Sequence, residues 1–146
     1  MVAPAGRRQR MVCREPLVEA ISVLVAATNP GPASQLRALL SDDPRFEVIG
    51  EARSGEEMVA FSGQPGLVVV DLALGGLNAH DTIEQYRRRH GKPLIAVVTP
   101  VEAEYLRQAM ISAGANAYLV VTSPSGEMLD HLAALVDRAC AGRVKA

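Results

Sequence analysis

Among the side chains of this sequence that could do chemistry, Asp71 has the most telling position. It follows Leu67-Val68-Val69-Val70, an apolar run bounded on its N-terminal side by Gln64-Pro65-Gly66. That pattern fits a strand buried on both faces of a parallel sheet. A carboxylate just past such a strand lies at the edge where open α/β sheets bind ligands. Position alone fits equally well a cap on a turn or on the following helix. The remaining reactive side chains are poorly grouped. Cys13 and Cys140 are far apart and outside any CxxC spacing, so neither a metal site nor a disulfide framework is expected. Arg87, Arg88, Arg89 and His90 form a basic run, read here as a solvated face complementing the negative end of a helix in preference to a phosphate or nucleic-acid patch. Nucleotide binding has no Gly-rich loop to rest on, and no GxxxxGK run ending in Ser or Thr is present.

The elements that must position Asp71 follow from composition and periodicity. With 146 residues, 49% of them hydrophobic and only 3% aromatic, the chain makes one domain with a core of Ala, Val, Leu and Ile, which suits a sheet covered by helices. A net charge of −1 gives no global pull toward nucleic acid. Arg7, Arg8, Arg10 and Arg14 fall in residues 1–18, whose Pro, Gly, Ala and Arg without periodicity predict a flexible arm. Disorder alone accounts for that arm, contact with acidic partners or nucleic acid being the alternative, and Met11 is an alternative start. Residues 19–142 are expected to form the single folded domain. The apolar runs are of strand length, and neither a membrane span nor a secretory segment is indicated, so a cytoplasmic location is expected.

Strands are predicted at Ile21–Ala26, Phe46–Ala52 (leaning to a sheet edge), Leu67–Val70, Leu94–Val98 and Ala117–Val121. Between them, Asn29-Pro30-Gly31-Pro32 opens a helix with Leu36, Leu39 and Leu40 inward, stopped by Asp42-Asp43-Pro44. Ser54 to Glu57 reads as a capping box for a short helix through Met58 and Phe61. Asn78 with Asp81 starts a helix carried by Ile83 and Tyr86 and ended by Gly91-Lys92-Pro93. Thr99-Pro100-Val101-Glu102 reads as a second capping box with Pro at the first helical position, the helix ending at Gly114. Ser123-Pro124 opens the last helix, with Met128, Leu132, Leu135, Val136 and Ala139 at spacings of three and four. Five strands alternating with five helices through short turns demand parallel strands, right-handed crossovers and helices on both faces.

Over about Ile21 to Val136 the chain resembles the receiver domain of two-component response regulators. The resemblance rests on VLVAATNP at the first strand, VIGEARSGEE at the second strand and helix, VVVDLALGG around Asp71, VVTP at Thr99 and AGANAYLV before Val121, specific when taken in order. It implies an α/β fold of the flavodoxin-like, CheY-like kind, a doubly wound five-stranded parallel sheet of order 2-1-3-4-5 with five helices. That order would gather Ala27, Thr28, Asp71 and Thr99 around one shallow pocket. It also implies a place in phosphorelay signal transduction. The family transfers a phosphoryl group to an aspartate with Mg2+ held by an acid pair. A hydroxyl binds a phosphoryl oxygen, a Lys supplies the opposite charge, and an aromatic on strand five moves with the hydroxyl to report the state.

Carried over by position, Asp71 matches the phosphoacceptor, Thr99 the hydroxyl and Tyr118 the switch. The acid pair falls on Ala27 and Thr28 and the Lys on Val121. Leu74-Gly75-Gly76, in place of the usual Met-Pro-Gly, reads as a looser loop. Asp42 and Asp43 cannot stand in from the opposite edge, nor Glu51 from the wrong strand. Losing a charge-assisted partner costs about 1.5–3 kcal/mol per hydrogen bond, and losing a metal costs more. The expectation is therefore an atypical, stand-alone pseudo-receiver without a Mg2+ site, enzymatic activity or DNA-binding domain. It would bind a protein partner through the face of helix four, strand five and helix five, with Glu102, Tyr105, Tyr118 and Met128 as contacts, and could form a homodimer there. Thr99 reads better as a helix cap, and Tyr118 as a packing residue, than as working phosphate machinery. The alternatives are a single-domain phosphoacceptor using Asp71 and an interaction module related to the pseudo-receivers of pilus-assembly ATPases. A small-molecule effector in the more apolar pocket is a further option. A dehalogenase-type phosphatase or a cobalamin module would need chemistry that fails at Ala73.

Overall fold

Strand-forming runs of Val, Ile and Leu in this chain are spaced by helices too short to do anything but cross back over the sheet. The computed structural model describes residues 20–122 and 125–145. The arginine arm with Cys13, the Ser123-Pro124 pair and the side chain of Cys140 lie outside the described residues. Strands β1 (Ile21–Ala26), β2 (Phe46–Ala52), β3 (Leu67–Asp71), β4 (Leu94–Thr99) and β5 (Ala117–Val120) alternate with helices α1 (Pro30–Asp42), α2 (Gly55–Ala60), α3 (Ala79–Arg89), α4 (Glu104–Ala113) and α5 (Gly126–Lys145). The sheet has the order β2-β1-β3-β4-β5, and every pairing is parallel. This is the expected topology, with β1 and β3 adjacent and their carboxyl ends on one edge.

Alternation along the buried strands divides the core in two. Val23, Val25, Leu67 and Val69 pack with Leu36 and Leu40 of α1 and with Met128, Leu132 and Val136 of α5. Leu24, Val68, Val70, Ile95 and Val97 pack on the other face with Met58 of α2, Ile83 and Tyr86 of α3, and Met110 of α4. Truncating one of these fully buried aliphatics to Ala costs about 2–5 kcal/mol. In β2 the register slips against β1 between Val23 and Leu24. Gly50, just past the slip, lies under the Phe61 ring, where a Cβ would come within 2.8 Å of Cζ.

Local chemistry explains most helix ends. Ser54 Oγ accepts the Glu57 N–H, and Glu57 Oε1 accepts the Arg53 N–H, a capping box shifted by one residue on its return bond. Asn78 Oδ1 accepts the Asp81 N–H at the start of α3. Gly114, at φ 129°, closes α4, a conformation that penalises any side chain.

Two expectations about helix ends fail. The Thr99 capping box does not form: α4 begins at Glu104, with Ala103 as its uncapped N-cap. Thr99 stays in β4, its hydroxyl accepting the Val101 N–H at 3.1 Å. The Val101 carbonyl is taken by the Tyr118 hydroxyl at 2.9 Å, and residues 100–103 stay outside the helix. The basic run is likewise no uniform solvated face. Arg87 is half-buried and ties α3 to β4 and the α4–β5 turn, donating to the carbonyls of Pro93 (2.6 Å), Gly114 (3.0 Å), His90 and Gly91 and to Asn116 Oδ1 (2.9 Å). Asn116 Oδ1 also accepts the Ile95 N–H. Desolvation lowers the Arg87 pKa from its usual value. The planar fork of Arg meets several fixed carbonyls at once, a demand that a count of charges in a helix turn does not reveal.

Candidate functional site

The carboxyl ends of β3 and β4 open onto a crevice of about 180 Å³. Its floor and walls are Asp71, Val98, Thr99, Val121, Thr122 and Met128, faced by Pro32, Gln35 and Leu36 of α1. Among these lining residues Asp71 is the only charged side chain. The crevice exists because β3 stops at Asp71 beside β4, in register with Val98, while α1 and α5 cover one side of that junction.

Asp71 Oδ1 accepts the Ala73 N–H at 2.9 Å, and the Asp71 carbonyl accepts the Leu74 N–H. The aspartate therefore shapes its own turn, the reading that position alone left open beside a ligand role. Thr99 is buried at 3% exposure with its hydroxyl oxygen turned to Val101. Val121 continues the ladder to β4, its N–H donating to the Thr99 carbonyl at 2.8 Å. Asp71, Thr99 and Val121, separated by 50 residues of sequence, thus share one wall.

Ala27 and Thr28 do not line this crevice. Ala27 is buried. The Thr28 hydroxyl donates to the Arg53 carbonyl at 2.7 Å and accepts the Gly75 N–H at 2.6 Å, pinning the β3–α3 loop to the β2–α2 turn. The Gly75 carbonyl accepts the Gly55 N–H. Leu77 N–H donates to Glu56, whose pKa backbone donors, its own N–H foremost, hold below the usual carboxylate range. The Leu74-Gly75-Gly76 loop is therefore tied down and not loose: glycine at the left-handed φ of 75° lets Gly76 approach Glu56 closely. Glu51 pairs with Arg37 at 2.6 Å, and Asp43 with Arg45 at 2.8 Å. The Arg45 side-chain hydrogen bond leads in lowering the Asp43 pKa.

Tyr118 is turned inward at 4% exposure. The Arg107 guanidinium lies 5.0 Å from its ring centroid, and burial raises its phenol pKa. Of the surface contacts expected on the α4–β5–α5 side, Glu102 and Tyr105 are exposed, Tyr105 at 73%. Met128 and Tyr118 are core residues and cannot serve. Helical periodicity in α5 marks Met128 as inward, and its place in the apolar stripe was the available signal. Val101 and Val120 are exposed instead. Sequence reading also missed a cluster on α3, where His80, Asp81 and Glu84 hold ligand-type atoms within 4.8 Å of one another. Its i, i+4 spacing was the signal, although the His80–Asp81 contact at 3.3 Å and the Asn78 amide on Asp81 already employ two of its members.

Residues 23–133 match the family described as the response regulator receiver domain. The transcriptional regulatory protein LiaR of Bacillus subtilis is 34% identical over 101 residues, 68% of this chain and 48% of that protein. A nitrate/nitrite response regulator protein homologue of Haemophilus influenzae is 27% identical over 114 residues, 77% of this chain and 55% of that one. The chain spans about half the length of these relatives. Among solved structures, a two-component response regulator of the LuxR family from Aurantimonas sp. SI85-9A1 superposes with a TM-score of 0.75 at 21% identity, over 82% of this chain and 86% of that one.

Proposed function

Because the chain belongs to the response regulator receiver domain family, we propose that it serves two-component signalling through protein–protein contact, without Mg2+-dependent phosphorylation of Asp71. The observation that carries this reading is the crevice in which Asp71 is the only charged lining residue. Mg2+ demands near-octahedral oxygen coordination and is bound through carboxylates, waters and phosphate. Here Ala27 offers no donor, the Thr28 hydroxyl is spent on Arg53 and Gly75, and Val121 supplies no counter-charge. The donor set does not fit the metal. A phosphoryl dianion beside Asp71 would meet a carboxylate and largely apolar walls, with no cationic side chain among the lining residues and only the neutral Gln35, Thr99 and Thr122 to donate to it.

Partner contact is assigned to the α4–β5–α5 side, where Val101, Tyr105 and Val120 are exposed. Tyr118 and Val120 share one face of β5 by its period of two, so the exposed Val120 side chain adjoins the Tyr118–Arg107 stack. Exposed aromatic and aliphatic groups rimmed by charge suit an interface. No helix among the described residues is long and apolar enough to cross a membrane.

Titrating isotopically labelled protein with Mg2+ and then with beryllium fluoride, a phosphoryl mimic, tests the reading. Amide signals of Asp71, Thr99 and Val121 are expected to stay in place. Saturable shifts at those amides that vanish in Asp71→Asn would favour a phosphoacceptor instead.

A further inference from the structure

We infer that the Asp71 crevice is a binding site for a small organic ammonium ion, a primary amine carried on a short apolar tail. Among the described residues the carboxylate receives one donor, the Ala73 N–H on Oδ1, although a carboxylate has about four acceptor positions. Oδ2 receives no donor from the described residues. No cationic residue lines the crevice, and Leu36, Val98, Val121 and Met128 give it apolar walls. Desolvating a carboxylate against such walls is costly unless a charge-assisted donor meets it. An ammonium group brings three donors and no acceptor. One donor answers Asp71, and Gln35, Thr99 and Thr122 among the lining residues carry side-chain oxygens able to accept the other two.

The tail follows from shape. A crevice of about 180 Å³ has room for a few methylene groups against Leu36, Val121 and Met128, and removing those groups from water favours the complex. An anion is repelled by Asp71, and a neutral hydroxyl offers the carboxylate a hydrogen bond without the opposite charge. The inference rests on the reading of this crevice as lacking a resident metal, and the experiment separates the two.

The labelled full chain is titrated at constant ionic strength with n-butylammonium, n-butanol, butyrate and Mg2+ in parallel. Saturable amide shifts at Asp71, Thr99, Val121 and Thr122 are expected with n-butylammonium, with binding at least about tenfold weaker for n-butanol and butyrate. Asp71→Asn, whose amide oxygen can keep the Ala73 bond, is expected to weaken n-butylammonium by at least about tenfold while unfolding at the same temperature. Val121→Lys, which places a tethered ammonium at the wall, is expected to abolish the shifts. Equal response to butyrate or n-butanol, no saturation with n-butylammonium, or undiminished binding in Asp71→Asn would overturn the inference. Saturation by Mg2+ at the same amides would overturn the metal-free reading on which it rests.

Discussion

Two lone charges on opposite sides of this fold are treated in opposite ways. Arg87 is half-buried where α3, β4 and the α4–β5 turn meet, and its guanidinium is shared among the carbonyls of Pro93, Gly114, His90 and Gly91 and the side chain of Asn116. Asp71 stands at the functional edge with one donor on its carboxylate. Neither charge has an ionic partner among the described residues. The first charge is saturated by fixed dipoles and can only be structural. The second keeps acceptor positions that no described residue fills and that a ligand can use. Hydrogen-bond saturation, more than burial or residue type, separates a charge that holds a fold from one that can serve a ligand.

The comparison breaks first at Arg87. Arg87→Ala should destabilise the domain by about 2–4 kcal/mol, because charge-assisted bonds are lost and carbonyls are left without donors. Arg87→Lys should recover only part of that loss, since an ammonium cannot match the fork. Chemical denaturation of both variants measures this, and a wild-type midpoint for Arg87→Ala would remove the contrast. Tyr118→Phe is next. Losing the bond to Val101 should cost about 1 kcal/mol and speed amide exchange in residues 100–103.

A smaller effect is expected from pH. Desolvation, with a lesser contribution from Arg89, lowers the His90 pKa below 6.5. The unfolded chain therefore takes up the proton first as pH falls, and stability is lost from about pH 6.5 downward until the folded-state pKa is passed. His90→Gln should remove that component from the stability profile. The smallest change is at Asp71 itself: Asp71→Asn can keep the turn to Ala73 and should alter stability by no more than about 0.5 kcal/mol.

The fold was legible because Val- and Leu-rich runs, turn residues and helix caps all agreed on the same alternation of elements. Asn78 and Ser54 declared their helix starts through local bonds that a sequence displays directly. Thr99 misled because its hydroxyl and the following Glu102 imitate a cap, while the competing bond to the Val101 carbonyl comes from Tyr118, 17 residues beyond Val101. Arg87 misled for a like reason: its acceptors are backbone carbonyls brought together only by the β4 and α4 packing, and a carbonyl carries no residue identity. Asp71 could be placed from one strand end. That Thr28 would leave the crevice to pin the Gly75 loop depends on a turn two strands away, and no local pattern announces it.

The most direct measurement is the intact mass of the protein after incubation with acetyl phosphate and Mg2+, with Asp71→Asn alongside. The account predicts an unchanged mass for both. Stoichiometric gain of one phosphoryl group by the wild type and not by Asp71→Asn would contradict it.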